Sequence, residues 1–323
     1  MEDLDSARVR PGIAERQLDE LRAIGLDCDE PVVHQSGRLE LSREAIARLE
    51  ADDLLYACFC TRAEIRAAAS APQGPQPAYP GTCRELSRAE RAAREASGRP
   101  PALRFRAHEA RVAFDDGLLG RYEAAVDDFV VRRGDGTPAY NLAVIIDDAA
   151  QGIGQVVRGA DLADSTPRQL LLARALGLGE PSYAHVPLIL GPDGARLAKR
   201  HGAVTLAERQ AAGESPAAVR AWLAHSAGLT EPDELVRRFD PARIPREPTR
   251  STRPRSVRRR REHGHDPFFL HRVLDLGELC LLGHERAPGV GDRHASVLAV
   301  GARADLDPGW RLAALVLGVV DEL

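Results

Sequence analysis

Lysine is nearly absent from this chain. Of its 44 basic residues 43 are arginine, and Lys199 is the single lysine. Arginine carries a planar fork of donors, whereas lysine carries a compact charge on a flexible stem that can follow a phosphate. A lysine retained against so strong a bias indicates a site at which the arginine fork would not serve. The alternative is the chance survival of one exposed side chain, since charged surface residues need no special cause.

Aromatic residues, positive net charge and long apolar runs are also lacking. Aromatics make up 4% of the 323 residues, so the core must be largely aliphatic, and the length suits one large or two modest domains. The net charge of −4 excludes a uniformly basic nucleic-acid binder and leaves only local basic patches. Residues 1–5 form no apolar signal region, and the longest apolar run, residues 312–320, is too short to cross a bilayer. These absences predict a cytoplasmic protein with no membrane partner.

The five cysteines include a tight cluster. Cys58 and Cys60 are separated by one residue, and Cys83 follows a stretch rich in proline, glycine and glutamine at residues 71–81. An odd number of cysteines in a cytosolic chain favours a metal over disulfides, and three thiolates with one further ligand can hold zinc tetrahedrally. The spacing is tighter than usual for zinc, however, and the nearby Tyr79 would be an unusual ligand. The alternative is three separately buried small side chains.

Helix and strand patterns alternate along most of the chain. Apolar periodicity and capping residues predict helices at residues 11–26, 42–53, 87–97, 166–176 and 215–227. Alternation or short apolar runs predict strands at residues 103–106, 129–132, 144–146 and 155–157. The last two are typical of buried parallel strands, so we expect an α/β fold.

Polar residues follow these two predicted parallel strands. Asp147 and Asp148 come after residues 144–146, and Arg158 comes after residues 155–157. Ligands of open α/β sheets bind beyond the carboxyl ends of strands, where an arginine suits a carboxylate or a phosphate. Tyr140, just before the first of the two strands, would add a polar contact. The alternative is an ordinary Arg–Asp ion pair that caps the sheet.

Lys199 lies in a polar stretch, residues 194–202, just after the apolar run of residues 186–190. A lysine in a mobile loop beside a nucleotide stabilises charge on phosphates during group transfer. The chain contains no Walker-type phosphate loop.

Several motifs together resemble the glutamyl-tRNA synthetases. Residues 196–200, Arg-Leu-Ala-Lys-Arg, are similar to the Lys-Met-Ser-Lys-Ser signature of class I aminoacyl-tRNA synthetases, with Lys199 at its second lysine. Residues 2–5, 140–144 and 157–162 resemble their catalytic core. The cysteine cluster with Tyr79 resembles the zinc site of their short paralogues, the glutamyl-queuosine tRNA(Asp) synthetases. The similarity extends over residues 1–248 and includes no anticodon-binding domain, which the paralogues also lack.

The resemblance implies a reaction and a set of site residues. Such enzymes activate glutamate with ATP, which implies bound Mg²⁺ as well, and transfer the glutamyl group to queuosine at the wobble position of tRNA(Asp). Glu2, Tyr140 and Arg158 would line the glutamate site, with Arg158 on the substrate carboxylate and Glu2 on its ammonium group. Lys199 would be the catalytic contact to the ATP phosphates. The zinc ligands implied are Cys58, Cys60, Tyr79 and Cys83, and we expect a monomer.

The resemblance also predicts the domain organisation. Residues 1–205 would form a class I synthetase Rossmann-like domain, incomplete at its start, with a zinc-binding insertion at residues 56–110. Residues 206–249 would form a helical, tRNA stem-contacting segment, and residues 250–323 an arginine-rich, irregular tail. The arginine run within residues 251–261 suits either RNA phosphates or, as we favour, a solvated linker.

One family element is missing from this pattern. The family begins with a strand, a His-Ile-Gly-His-type phosphate loop and a helix, and here residues 2–5 follow Met1 directly. A late start site or a decayed gene copy would each explain this. The alternative to the enzyme is therefore a non-catalytic remnant that binds tRNA and zinc. A fragment of a full glutamyl-tRNA synthetase is a weaker alternative, because of the zinc pattern.

Overall fold

The fold consists of short helices and strands, in a computed structural model that describes residues 1–5, 9–27, 31–68, 79–191, 193–197, 205–228, 244–250 and 279–281. The helices are α1 (Ile13–Ala23), α2 (Leu39–Ala51), α3 (Arg62–Ala68), α4 (Arg88–Glu95), α5 (Tyr140–Gln151), α6 (Thr166–Leu176), α7 (Leu206–Ala211) and α8 (Pro216–Ser226). Two 3-10 helices lie at Gln35–Arg38 and Ala160–Ser165. Among the helices of these residues, none has both the length and the apolar character that crossing a membrane needs.

The strands form three sheets. They are β1 (Leu55–Cys58), β2 (Ala102–Phe105), β3 (Arg111–Asp116), β4 (Gly120–Ala125), β5 (Phe129–Arg132), β6 (Gln155–Gly159), β7 (Ser182–Val186), β8 (Ile189–Leu190), β9 (Thr249–Arg250) and β10 (Leu279–Leu281). The largest sheet has the order β10-β6-β7-β3-β4, an antiparallel sheet has the order β1-β2-β5, and β8 pairs with β9. The short strand β10 lies in the part of the chain where the sequence predicts no regular structure.

The parallel strands β6, β7 and β3 form the centre of the large sheet. Parallel neighbours require a crossover connection, and α6 supplies it between β6 and β7. The main core includes fully buried side chains from the sheet, α5 and α6, such as Val156, Leu142 and Leu172. Each such aliphatic side chain stabilises the fold by about 2 kcal/mol relative to exposure. The predicted α/β architecture with a parallel sheet is confirmed.

The predicted strand at residues 144–146 is wrong, because these residues lie inside α5. Three consecutive β-branched residues favour a strand, but the apolar stretch continues on both sides of them and is long enough for a helix. Its buried side chains include Leu142, Ile145 and Asp148, at the spacing of a helical face. The helix ends at Gly152, which adopts a left-handed φ of 70° as helix-terminating glycines do.

Other predictions agree closely with the structure. The helix at Thr166–Leu176 and the strand at Phe129–Arg132 have the predicted bounds, and α8 differs from its prediction by one residue at each end. The Ser87 capping box is present, with Ser87 and Glu90 each accepting the other's backbone N–H. Strands β1, β3, β4, β7, β8, β9 and β10 were not predicted.

Candidate active-site cleft and metal centre

A cleft of about 930 Å³ is the candidate site. Its lining includes residues 1–5, part of α1, β2, β5 and the start of α5. Two of the three predicted glutamate-binding residues, Glu2 and Tyr140, line it. Its other polar lining residues include Tyr79, Arg104, Asp127, Asn141 and Arg168.

The segment that carries Glu2 is held in place by Asp3. The Asp3 carboxylate accepts hydrogen bonds from the backbone N–H and the hydroxyl of Ser36, at 2.8 and 2.6 Å. It also lies 3.0 Å from Nδ1 of His34. Burial raises the pKa of Asp3, but these hydrogen bonds outweigh burial and leave its pKa below the ordinary value. An ionised Asp3 therefore fixes residues 1–5 against the 3-10 helix at Gln35–Arg38.

Tyr140 and Asn141 reach the cleft because they begin α5. The N-cap, Ala139, donates its N–H to the carbonyl of Val131, so the start of the helix is tied to β5. Asn141 Oδ1 accepts a hydrogen bond of 3.3 Å from Gln169 Nε2 on α6. The start of α5, which lines the cleft, is therefore hydrogen-bonded to α6 in a deeper layer of the fold.

Arg158, the third predicted glutamate-binding residue, lies in that deeper layer rather than on the lining of the cleft. It is on β6 and only 2% exposed. Its Nε donates to His185 Nε2 at 3.1 Å, and its Nη2 donates to Thr166 Oγ1 and Gln169 Oε1, both at 2.7 Å. Gln169 thus joins Arg158 to Asn141 in the cleft wall. Asp161, which follows the same strand, forms an ion pair with Arg196 at 2.7 Å.

The three cysteines of the predicted zinc site converge. The Sγ atoms of Cys58, Cys60 and Cys83 lie within 4.8 Å of one another, and those of Cys60 and Cys83 are 3.5 Å apart. Tyr79 Oη lies 3.5 Å from Cys58 Sγ and 3.8 Å from Cys60 Sγ. For tetrahedral zinc, bond lengths of about 2.3 Å to sulfur and 2.0 Å to oxygen require S···S and S···O separations of about 3.8 and 3.5 Å. The four side chains therefore fit the ion.

The electrostatics of the cluster suit a metal as well. Arg104 donates from Nε to Cys58 Sγ at 3.2 Å, and its guanidinium lies 3.7 Å from the centre of the Tyr79 ring. Burial raises the pKa of Cys58, but the hydrogen bond between Cys58 and Tyr79 and the charge of Arg104 bring it below the ordinary value. Burial and the neighbouring thiols raise the pKa of Cys60 to about 12. A bound cation would favour the thiolate forms of these cysteines and so offset the rise in pKa.

Two consecutive aspartates attach the cysteine–tyrosine cluster to the rest of the fold. Asp127 Oδ2 accepts the backbone N–H of Tyr79 at 2.8 Å, and its Oδ1 accepts from Arg168 Nη2 at 2.6 Å. Asp128 is fully buried and accepts from Tyr56 Oη, Arg84 Nε and the N–H of Ala107. Both aspartates also line the cleft, so the cysteine–tyrosine cluster and the cleft share a wall.

Lys199 lies outside the described residues, as do most of the residues of the predicted tail. The stretch just before Lys199 is described up to Leu197, which is buried and donates its N–H to the carbonyl of Ile189. The role of Lys199 therefore stays a prediction.

Four further polar residues of this region carry no prediction from the sequence: His185, Asp116, Asp127 and Asp128. His185 lies between apolar neighbours in β7, and a polar residue inside an apolar strand pattern is a signal for a buried, hydrogen-bonded group. No sequence pattern identifies Asp127 or Asp128, because their partners are more than 20 residues away.

Comparison with known proteins decides the family. The family model described as tRNA synthetases class I (E and Q), catalytic domain, matches residues 1–243. The chain belongs to this family. The resemblance inferred from the motifs is thereby confirmed at the family level.

The curated relatives of this synthetase-family chain include two proteins named glutamyl-Q tRNA(Asp) synthetase. The protein from Nocardia farcinica is 62% identical over 250 residues, which cover 77% of this chain and 80% of the relative. The protein from Symbiobacterium thermophilum is 53% identical over 270 residues, which cover 77% and 84%. Both alignments therefore extend over most of each protein.

Among solved structures, a glutamate tRNA ligase from Elizabethkingia meningosepticum, in complex with its amino acid, is 26% identical with a TM-score of 0.62. The match covers 77% of this chain and 59% of that one. The chain thus spans less than two thirds of the length of this longer ligase.

Proposed function

We propose that this chain activates glutamate with ATP and transfers the glutamyl group to queuosine in tRNA(Asp). The observation that carries the proposal is the 62% identity to a protein named glutamyl-Q tRNA(Asp) synthetase over 77% of this chain. The converged cysteine–tyrosine cluster supports it, because that cluster is the feature by which the sequence resembles these short synthetases. We further propose that the chain acts in the cytoplasm as a monomer.

The cleft supplies groups of the right charge for glutamate. The Glu2 carboxylate suits the substrate ammonium group, and Tyr140 suits a hydrogen bond to the amino acid. Arg158 suits the substrate carboxylate, which would approach it past Asn141 and Gln169.

The reaction follows from placing two substrates together. A carboxylate oxygen of glutamate attacks the α-phosphorus of ATP, and pyrophosphate leaves with the electron pair of the broken P–O bond. A hydroxyl of the queuosine cyclopentenediol then attacks the acyl carbon of the adenylate, loses its proton and displaces AMP. Lys199 would stabilise the charge that develops on the phosphates, with Mg²⁺ bound to ATP.

Zinc would be held by Cys58, Cys60, Tyr79 and Cys83. Four protein ligands leave no open position, so the ion would supply structure rather than chemistry. It would fix the segment that carries Tyr79, and with it one wall of the cleft.

The experiment uses the full chain, ATP, labelled glutamate and two preparations of tRNA(Asp), one with queuosine and one with guanosine at the same position. We expect label on the queuosine-containing tRNA alone, and we expect it to persist when the 3′-terminal adenosine has been removed. Label that needs the 3′ adenosine would show an ordinary glutamate–tRNA ligase instead. The absence of any label, with tRNA binding retained, would favour the non-catalytic alternative.

A further inference from the structure

Arg158 is the end of a buried polar chain that begins at Asp116. The side chains of Asp116 and His185 are both fully buried, and His185 Nδ1 lies 2.6 Å from Asp116 Oδ2. The other nitrogen of the ring, Nε2, accepts the Arg158 Nε–H at 3.1 Å. The chain therefore crosses the parallel sheet from the end of β3 through β7 to β6.

The carboxylate of Asp116 cannot turn. Its Oδ1 accepts three backbone N–H groups, from Leu118, Leu119 and His185, at 2.9, 2.8 and 3.1 Å. Because Oδ1 is held in this way, Oδ2 is the atom that faces the imidazole. Burial raises the pKa of Asp116, but its hydrogen bonds from His185 and the backbone leave it below the ordinary value, so the group is ionised.

An ionised, immobile Asp116 leaves His185 one tautomer. An acceptor at Oδ2 requires the proton on Nδ1, and the lone pair then lies on Nε2, where Arg158 donates. Burial lowers the pKa of His185, and the charge of Arg158 lowers it further against the opposing effect of Asp116, so the ring is neutral. In the other neutral tautomer the Nε2–H of His185 would face a second donor, the Nε–H of Arg158, and only Thr166 Oγ1, 3.2 Å from Nε2, would remain among these partners to accept it.

We infer that Asp116 and His185 are positioning residues for Arg158: the carboxylate fixes the imidazole tautomer, and the imidazole fixes the guanidinium plane. Thr166 and Gln169 hold the same guanidinium from α6, at its Nη2. Held at both Nε and Nη2, the guanidinium keeps a fixed plane, as recognition of a carboxylate requires. The consequence for glutamate binding rests on the proposed function, whereas the tautomer does not.

Asp116→Asn is the sharpest test, because it changes one atom and keeps the shape. The three N–H groups at Oδ1 hold the amide oxygen, so the amide NH₂ must take the position of Oδ2. This NH₂ then donates to Nδ1 and moves the ring proton to Nε2, against Arg158. In serine proteases the corresponding replacement of aspartate by asparagine gives the wrong tautomer of the neighbouring histidine.

Two measurements read the result. Nitrogen-15 NMR of the histidine rings reports which nitrogen carries the proton, and the signal missing from His185→Gln identifies His185. Isothermal titration reports the affinity for L-glutamate. We expect Nδ1–H in the unaltered chain and Nε2–H in Asp116→Asn, with glutamate binding weakened about tenfold, in line with a lost hydrogen bond to a charged group. Asp115→Asn, at an exposed neighbour, is the matched control and should change neither.

A second pair of variants keeps the test decisive if Asp116→Asn does not fold. Glutamine at position 185 places an amide near Nε2 and can still accept from Arg158, whereas asparagine places its amide near Nδ1 and cannot. We expect His185→Asn to weaken glutamate binding several-fold more than His185→Gln, at matched unfolding free energies.

Equal glutamate affinities in these two variants, or an Nε2–H tautomer in the unaltered chain, would overturn the inference. An unaltered chain that shows Nδ1–H but binds no glutamate would instead overturn the proposed function and leave the tautomer relation standing.

Discussion

The backbone N–H of Tyr79 donates a hydrogen bond of 2.8 Å to the Asp127 carboxylate, 48 residues away. The other oxygen of that carboxylate accepts from Arg168, at the start of α6. The same helix carries Thr166 and Gln169, which hold Arg158. One aspartate therefore connects the candidate metal centre with the helix that supports the candidate glutamate-binding arginine.

We expect Asp127→Asn to weaken zinc binding and the fold together. The substitution removes the ion pair with Arg168, and hydrogen bonds to charged groups contribute about 1.5–3 kcal/mol. Both side chains are partly exposed, at 21% and 28%, so solvent screening places the loss at the lower end of this range.

Urea unfolding and competition with a zinc chelator measure these two effects. The control is Asp115→Asn, which removes an exposed ion pair with Arg121 and should change the unfolding free energy by less than about 0.5 kcal/mol. An unchanged zinc affinity in Asp127→Asn would show that Asp127 does not support the metal centre.

Metal analysis of the purified chain should find about one zinc per molecule, because the described residues bring together one cluster, Cys58, Cys60, Tyr79 and Cys83, that would close a four-ligand site. Cys60→Ser should lose the ion and become more sensitive to heat and protease. Cys28→Ser, at a cysteine outside the predicted motif, is the matched control and should keep the metal. A fully folded wild-type chain without metal would reject the site.

Lys199→Arg should lower the turnover number more than it lowers the affinity for glutamate. The lysine is expected to act on phosphate charge that is greatest in the transition state, and loss of such a contact lowers kcat rather than substrate binding. Steady-state kinetics of glutamyl transfer separates the two effects. Arg200→Lys makes the reverse exchange at the adjacent position, and an equal effect of both variants would assign Lys199 to the surface.

Acid should destabilise the fold in part through Asp128. Burial raises its pKa, but Arg84, Tyr56 and the N–H of Ala107 together bring it below the ordinary value in the folded state. Between the folded and unfolded pKa values the unfolded chain binds more protons, so stability falls as the pH falls below about 4. Asp128→Asn should lower the unfolding free energy at pH 7 by about 3 kcal/mol and flatten its decline in acid.

Urea unfolding at a series of pH values between neutral and strongly acidic measures this dependence. The exposed Asp115→Asn variant should follow the wild-type curve. A variant at Asp128 with the full wild-type decline would show that other carboxylates determine acid stability.

Elements with strong local signals were predictable from the sequence. Pro167 near the start of α6 and Gly177 at its end delimit that helix, and the Ser87–Glu90 capping box marks α4. The start of α5 was not predictable in this way, because Val144, Ile145 and Ile146 favour a strand locally. Tertiary packing of the whole segment against α2 and α6 determines the helix instead.

The candidate site was predictable only where residues are close in sequence or similar to a known motif. Cys58, Cys60, Tyr79 and Cys83 converge as the resemblance to the short synthetases implied, whereas their spacing alone left separate burial open. The buried position of Arg158 was not predictable, because its partner His185 is 27 residues away. Asp116 is 69 residues from His185, and only the pairing of parallel strands brings them together.

The most direct test of the account is to digest tRNA(Asp) to nucleosides after incubation with the chain, ATP and glutamate, and to measure the mass of queuosine. We expect the mass of queuosine to increase by one glutamyl residue, in amounts that depend on both ATP and glutamate. Unmodified queuosine together with glutamate attached at the 3′ end would contradict this expectation.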